Sequence, residues 1–184
     1  MPTIFTHAVA AVALGKTYAR APVPPRFWLL TAACAMLPDA DVLGLAFGVR
    51  YGDVLGHRGL THSLAFALCV GFAVVKLWFR EVETSTRRRL GLVAYFFVVT
   101  ASHGALDALT NGGLGVAFFA PFDARRYFFP WRPIEVSPIG LGFFSGRGAE
   151  VFASEFVWVW LPSLALVAAV WGVRKLIELG RVRA

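Results

Sequence analysis

Four long apolar runs restrict the folds that this sequence can adopt. They are Phe27–Val49, Leu64–Phe79, Leu90–Leu109 and Phe156–Val173. Each is close to the roughly 20 residues that an α-helix needs to cross a bilayer. The chain is 58% hydrophobic and only 16% charged, whereas soluble domains average about 45–50% apolar and about 25% charged residues. We therefore expect one all-α integral membrane domain over residues 1–184. It should contain about four spanning helices, a short N-terminal helix at Ile4–Leu14, and one long loop segment on the outer side.

Basic residues flank these runs and predict the orientation of the chain. They cluster within Lys16–Arg26, Lys76–Arg89 and Arg174–Arg183. Lys and Arg concentrate on the cytoplasmic side of membrane proteins. We therefore expect these clusters in the cytoplasm, and Gly48–Thr61 and Asn111–Glu155 on the outer side. The arginines within Asn111–Glu155 are exceptions to this rule. Topology alone also accounts for the net charge of +7, so no nucleic-acid partner is expected.

Histidine and aspartate side chains interrupt the apolar runs at a common depth. Asp39, His62 and His103 each lie 13 or 14 residues from the nearest basic cluster. At about 1.5 Å per helical residue, each is roughly 20 Å from its cytoplasmic flank. Ionisable groups at membrane depth are costly and usually mark function. Because the runs alternate in direction, the pattern predicts one polar site near the outer edge of the hydrocarbon.

The residue types at this depth are those that bind divalent metals such as zinc. His103 and Asp107 are four residues apart and share one face of a helix. Pro38 predicts a broken turn in which Asp39 and Asp41 can both face a cavity. The alternative for His103 and Asp107 is a hydrogen-bonded pair within one helix. The alternative for Asp39 and Asp41 is a solvated helix end.

His57 and His62 belong to the glycine-containing block that precedes the second run, Leu64–Phe79. His57 is expected in a loop, and His62 in the first turn of the helix that follows, with Thr61 or Ser63 as its N-cap. Arg58 lies between the two histidines and is a candidate anion binder, since guanidinium matches phosphate oxygens. The alternative is an arginine that snorkels to the membrane surface. His7 is either another ligand or a hydrogen-bonded group in the protein core.

A stretch of aromatic and basic residues follows in the predicted outer segment. It contains Arg126 and Arg132 among tyrosine, phenylalanine and tryptophan residues. Such a stretch suits the lipid headgroup zone, where arginines meet phosphates. It is either a cap that binds substrate or an interfacial anchor.

Five elements together resemble a known family: His7, Pro38–Asp41, His57–Ser63, Ser102–Thr110 and Arg126–Pro133. They are similar to the bacterial membrane-bound metal-dependent hydrolases, a group labelled LexA-regulated inner-membrane hydrolases. The resemblance covers residues 2–142. It implies a multi-pass protein of the bacterial inner membrane with metal-dependent hydrolase activity.

The hypothesis from sequence is a hydrolase with one to three divalent metals, most readily zinc, with manganese or iron as alternatives. Metal-activated water would attack a phosphoester or related ester of an anionic substrate, in contact with membrane lipid. The expected ligands are Asp39, Asp41, His62, His103 and Asp107, then His7 and His57. Asp39, Asp41 and Arg58 are expected to be catalytic, and Arg58, Arg126 and Arg132 to bind substrate.

Two rival hypotheses use the same residues. One is a metal or proton transporter, but transport sites lie near the bilayer midplane, whereas these polar groups cluster towards one face. The other is a non-enzymatic membrane module with a structural metal. Structural zinc normally has four protein ligands in a closed shell, and the sequence offers more candidates than one such site needs.

Overall fold

The computed structural model describes residues 1–80, 85–138 and 146–182. Over these ranges the chain is helical, with two isolated β-bridges and no strand. The helices are α1 (Ile4–Tyr18), α2 (Pro25–Met36), α3 (Val42–Ala46), α4 (Leu64–Trp78), α5 (Thr86–Ala108), α6 (Arg147–Glu155) and α7 (Leu161–Val182). Shorter 3-10 turns form at Leu37–Asp41 and Leu60–His62, and a π-helical turn at Phe156–Trp160. The predicted all-α bundle is confirmed. Arg183, and the parts of the predicted cytoplasmic and outer segments at 81–84 and 139–145, lie outside the described residues.

Three helical stretches in the described chain are long and apolar enough to cross a membrane. They are Pro25–Ala46, Thr86–Ala108 and Arg147–Arg181. Only 6% of the apolar 18-residue window of the last stretch is buried within the protein, so most of its side chains lie at the surface of the bundle. The remaining predicted span forms α4, which is apolar but has only 15 residues. At about 1.5 Å per residue it is shorter than the hydrocarbon is thick.

The first predicted span, Phe27–Val49, is broken, as Pro38 led us to expect. Helix α2 ends at Met36 and gives way to the 3-10 turn, with Pro38 in the first turn of that element. Proline lacks a backbone N–H and cannot continue the α-helical hydrogen bonding. The turn buries Asp39 and Asp41, and α3 begins directly after it. Irregular backbone at membrane depth is tolerated where it is buried in protein.

Close packing between α4 and α5 depends on small residues. A Cβ atom added to Gly71 would lie 2.8 Å from the carbonyl oxygen of Val93. Similarly, a Cβ atom on Gly104 would lie 2.9 Å from the carbonyl oxygen of His62. Small residues of this kind let helices approach closely in membranes. Gly104 therefore brings the turn that carries His62 directly against α5.

The bundle is held together at one end by an aromatic core and covered at the other by the outer segment. Phe27, Tyr95 and Phe96 pack together in the core. At the opposite end, Ala117 donates its backbone N–H to the Arg58 carbonyl at 3.0 Å. Leu64 likewise donates to the Phe118 carbonyl at 2.9 Å. The outer segment thus lies over the ends of α4 and α5, where the histidines and aspartates meet.

Candidate metal centre

Four side chains from three separate parts of the chain converge at this covered end. Asp39, His62, His103 and Asp107 are all buried, and one potential ligand atom from each lies within 4.8 Å of the others. Nε2 of His103 is 3.2 Å from Oδ1 of Asp39, and Nε2 of His62 is 3.7 Å from the same oxygen. Nε2 of His62 is also 3.4 Å from Oδ2 of Asp107. Two ligands of one tetrahedral zinc, each at about 2.0–2.1 Å, would be about 3.3 Å apart. The spacing therefore matches one metal ion.

Hydrogen bonds orient both histidines for this role. Nδ1 of His103 is 2.7 Å from the carbonyl oxygen of Ala35. A carbonyl only accepts hydrogen bonds, so Nδ1 carries the proton and the Nε2 lone pair of a neutral ring faces the cluster. Nδ1 of His62 is 3.0 Å from the Thr61 hydroxyl oxygen, which accepts because that hydroxyl donates to Asp41, and 3.2 Å from Oδ2 of Asp41. Metal-binding histidines commonly donate their other ring N–H to a carbonyl or carboxylate in this way.

The atoms that face the centre lack hydrogen-bond partners. Among the side chains that the structure describes, the buried atoms that make no hydrogen bond include both oxygens of Asp39 and Asp107, and Nε2 of His62 and His103. Oδ2 of Asp107 is in addition ion-paired with Arg58. Buried polar atoms are nearly always paired, so each such atom needs an explanation. A shared cation would satisfy all of these atoms together.

His7 lies next to these four ligands as a fifth candidate. Its ring stacks on that of His103, with the centroids 3.6 Å apart and an 11° angle between the planes. Its Nε2 atom is 3.6 Å from Oδ1 of Asp107. Both of its ring nitrogens are buried without a hydrogen bond among the described atoms. His7 thus belongs to the same cluster.

A second group of candidate ligands comprises Asp41, His57 and His62, whose ligand atoms also lie close enough to share a metal. These atoms, however, already have partners. Oδ1 of Asp41 is 2.7 Å from Nδ1 of His57, and its Oδ2 accepts a 2.6 Å hydrogen bond from the Thr61 hydroxyl. This pairing favours a supporting role for Asp41, which holds His57 and His62 in place.

Arg58 lies inside the protein, against the centre. It is 0% exposed, which does not fit an arginine that snorkels to the surface. Its Nε is 2.9 Å from Oδ2 of Asp107, and its other nitrogens donate to Thr110 Oγ1 at 3.0 Å and the Gly112 carbonyl at 2.9 Å. Its backbone has φ of +64°, a left-handed conformation that few non-glycine residues adopt. These contacts indicate that Arg58 positions Asp107; substrate binding by Arg58 stays a prediction.

The other two predicted substrate-binding arginines differ in their surroundings. Arg126 donates to four carbonyl oxygens, at 2.9 Å to His57, 3.1 Å to both Tyr51 and Asp53, and 3.4 Å to Gly115. Burial lowers the pKa of Arg126 and raises that of Tyr51. Arg132 is exposed, and its guanidinium lies 4.7 Å from the centre of the Phe128 ring. Of these two, Arg132 is the one that faces outward.

Sequence reasoning missed a buried carboxylate at the start of α1. Glu155 is 0% exposed and accepts hydrogen bonds at 2.6 Å from the hydroxyls of both Thr3 and Thr6, as well as the Thr3 backbone N–H. Trp160 donates to Thr6 at 2.8 Å. These contacts fix the first turn of α1, which carries His7. The only signal in the sequence is a glutamate directly before an apolar run, which is equally typical of a solvated helix end.

Comparison with known proteins identifies the family of this chain. The family model described as YdjM inner membrane protein matches residues 1–176. The chain belongs to the YdjM family. This is the LexA-regulated inner-membrane family that the sequence motifs resemble. The chain is also similar to the inner membrane protein YbcI of Escherichia coli (strain K12), with 40% identity over 182 residues, which cover 95% of this chain and all of that protein. No solved structure matches. The protein is an inner-membrane protein.

Proposed function

We propose that this protein is a metal-dependent hydrolase of the inner membrane. The proposal rests on four residues, Asp39, His62, His103 and Asp107, whose ligand atoms make no hydrogen bond. The ligand atoms are buried, and the nitrogen–oxygen distances between the histidines and the aspartates are 3.2–3.7 Å. Such an arrangement is costly unless a cation completes it. Family membership adds support, because the resemblance to this family implies hydrolase activity.

The residues of the centre have distinct roles in this proposal. Asp39, His62, His103 and Asp107 hold the metal, and His7 completes its surroundings. A bound zinc, manganese or iron ion would make a water molecule more acidic and polarise an ester oxygen. Asp41 is the candidate general base, because it lies beside the ligands rather than among the atoms without a hydrogen bond.

The proposed substrate is a phosphoester, or a related ester, of an anionic and lipidic molecule. Support comes from the position of the centre, at one end of helices that face lipid, under a segment rich in aromatic residues. Arg132 is exposed in that segment and can meet an anionic group. Arg58 and Arg126 are engaged within the protein, so in this proposal they act chiefly by shaping the site.

One observation favours a second candidate, a non-enzymatic module with a structural metal. His103 and Asp107 are 0% exposed, His62 is 2% exposed, and Asp39 is 8% exposed. Structural zinc sites have four protein ligands and no open position. The two candidates differ in whether water and substrate can reach the ion beside Asp39.

Metal analysis and an ester screen separate these candidates. Wild type and Asp107→Asn would be purified in detergent, with Glu135→Gln as a carboxylate control outside the centre. We expect wild type and Glu135→Gln to carry a stoichiometric divalent metal and to hydrolyse at least one phospholipid, isoprenoid phosphate or generic phosphodiester. Asp107→Asn should lose both properties. Absence of metal from wild type would contradict the metal centre itself.

Two other results would point to the rivals. A metal-loaded wild type that hydrolyses nothing, but unfolds when a chelator removes the ion, would favour the structural module. Movement of the metal across liposomes containing the wild-type protein would favour a transporter.

A further inference from the structure

A second polar site lies at the opposite end of the bundle from the metal centre. A pocket of about 580 Å³ opens between the last turn of α1 and the C-terminal half of α7. Three arginines line it: Arg20, Arg174 and Arg181. Arg20 and Arg181 are exposed, and in the described part of the chain neither makes a hydrogen bond or ion pair. The pocket therefore presents two uncommitted guanidinium groups.

Arg174 prepares this pocket for an anion. Its guanidinium donates to the Ala19 carbonyl at 2.8 Å, to the Lys16 carbonyl at 3.3 Å and to the Thr17 carbonyl. These carbonyls end α1, and the C-terminus of a helix carries a partial negative charge. That charge would otherwise repel an anion. Because Arg174 covers it, the end of α1 becomes compatible with a negatively charged ligand.

The wall of the pocket below the arginines is apolar. It is formed by Ala169, Val170 and Val173 of α7, and Ile177 adds an apolar side chain between Arg174 and Arg181. From Arg174, the stretch back to Ala169 runs about 7 Å along the helix towards the middle of the span. The helix that carries this wall is 6% buried over its apolar window, so this apolar surface is open to lipid. A ligand that fills the pocket would thus meet positive charge at the membrane surface and hydrocarbon-compatible side chains below it.

We propose that this pocket binds one anionic phospholipid. The phosphate would lie between Arg20, Arg174 and Arg181, with an acyl chain along the apolar wall. Basic pockets between membrane helices are typical binding sites for anionic headgroups. An acidic peptide would match the arginines but not the apolar wall at membrane depth. The phospholipid therefore accounts for both halves of the pocket.

Replacing Glu178 tests the proposal in the opposite direction, because its loss should strengthen the binding of an anion. It lines the same pocket and opposes a phosphate, so the net charge of the ionisable groups there is +2, from three arginines and one glutamate. Each arginine near a membrane surface contributes about a 5-fold gain in affinity for anionic lipid, or roughly 30-fold for a pair. Removing Glu178 should strengthen binding several-fold, because like charges repel at this range.

The experiment measures lipid binding to the intact detergent-solubilised protein by native mass spectrometry. The probes are phosphatidylglycerol, phosphatidylcholine and glycerol phosphate. Arg20→Gln/Arg181→Gln should bind phosphatidylglycerol roughly 30-fold more weakly than wild type, while Glu178→Gln should bind it more tightly. The control is Arg80→Gln/Arg87→Gln, which removes the same charge from exposed positions outside the pocket and should leave affinity unchanged.

The outcomes separate the proposal from its alternatives. Preference for phosphatidylglycerol over both other probes, lost only in the pocket variant, would support it. Equal weakening by both double variants would show a general charge effect and overturn it. Equally tight binding of glycerol phosphate would indicate a soluble phosphate ligand, and would overturn the assignment to a lipid. A circular dichroism spectrum would confirm that each variant is folded.

Discussion

Replacing Arg58 is the sharpest test of how the centre is built. Its guanidinium contacts Asp107, Thr110 and Gly112 at 2.9–3.0 Å and has no exposure to solvent. Removing one partner of a buried ion pair costs roughly 3–5 kcal/mol, because the other charge stays buried and unpaired. Whole proteins are stable by only about 5–15 kcal/mol. In metal-free protein, Arg58→Ala should therefore lower the melting temperature by roughly 6–20 °C, at about 2–4 °C per kcal/mol.

The same substitution should weaken metal binding. Partners that orient a metal ligand typically contribute 10–100-fold to affinity, and Arg58 orients Asp107. Arg58→Lys should recover only part of either loss, because one ammonium group cannot reproduce the planar fork that contacts three acceptors. The assays are thermal unfolding in detergent with chelator and metal titration of the purified variants.

Arg125→Ala is the matched control, since it removes an arginine whose partner, Asp123, is near the surface. Arg125 is 80% exposed in its side chain, and surface ion pairs contribute only about 0–1 kcal/mol. If Arg58→Ala kept the wild-type melting temperature and metal affinity but lost hydrolysis, Arg58 would be a substrate-binding residue, and the positioning role would be wrong.

Three further predictions test the centre and the topology. His103→Ala should abolish metal binding whereas His57→Ala should weaken it about 10–100-fold, because His103 presents a nitrogen without a hydrogen bond to the centre, whereas His57 bonds to a neighbouring carboxylate; equal losses in metal content would refute this ranking. Ala21→Cys and Ala124→Cys, both at exposed positions, should react with impermeant thiol reagents from the cytoplasmic and outer sides respectively, and labelling from one side would overturn the orientation. Glu155→Gln should cost about 1–3 kcal/mol, seen as a lower melting temperature, by leaving buried donors at the start of α1 poorly paired; an unchanged melting temperature would show that this carboxylate does not anchor the helix.

The convergence of the site was predictable because it depends on local properties of the sequence. Counting from Arg26, Lys76 and Arg89 gives the depth of each polar residue along its own helix. Helical rise is nearly constant, so residues at equal depth in antiparallel segments end at one level. The structure brings Asp39 and His103 together at 3.2 Å, in agreement with that reasoning.

The separate roles of the residues within the site could not be predicted in the same way. Sequence treats Asp39 and Asp41 alike, yet the structure leaves the oxygens of the first unpaired and commits those of the second to His57 and Thr61. That difference arises from the 3-10 turn, which directs two carboxylates along different vectors. Hydrogen-bond partners brought together by tertiary packing, such as those of Glu155, leave no periodic signal in the chain.

The balance of buried charge predicts how many ions the centre holds. The carboxylates of Asp39, Asp41 and Asp107 carry three negative charges, and Arg58 returns one positive charge, so the cluster with neutral histidines has a net charge of −2. An uncompensated charge in a buried site costs several kcal/mol. One divalent ion brings the cluster to neutrality, and a second would leave it at +2. We therefore expect one metal ion per chain, bound by the four ligands Asp39, His62, His103 and Asp107.

Elemental analysis, combined with quantitative amino-acid analysis, measures the number of metal ions per chain. Asp41→Asn is expected to retain the single ion at reduced affinity. Two ions per wild-type chain would show that Asp41 and His57 give up their hydrogen bond to ligate the second, and would contradict the supporting role given to Asp41.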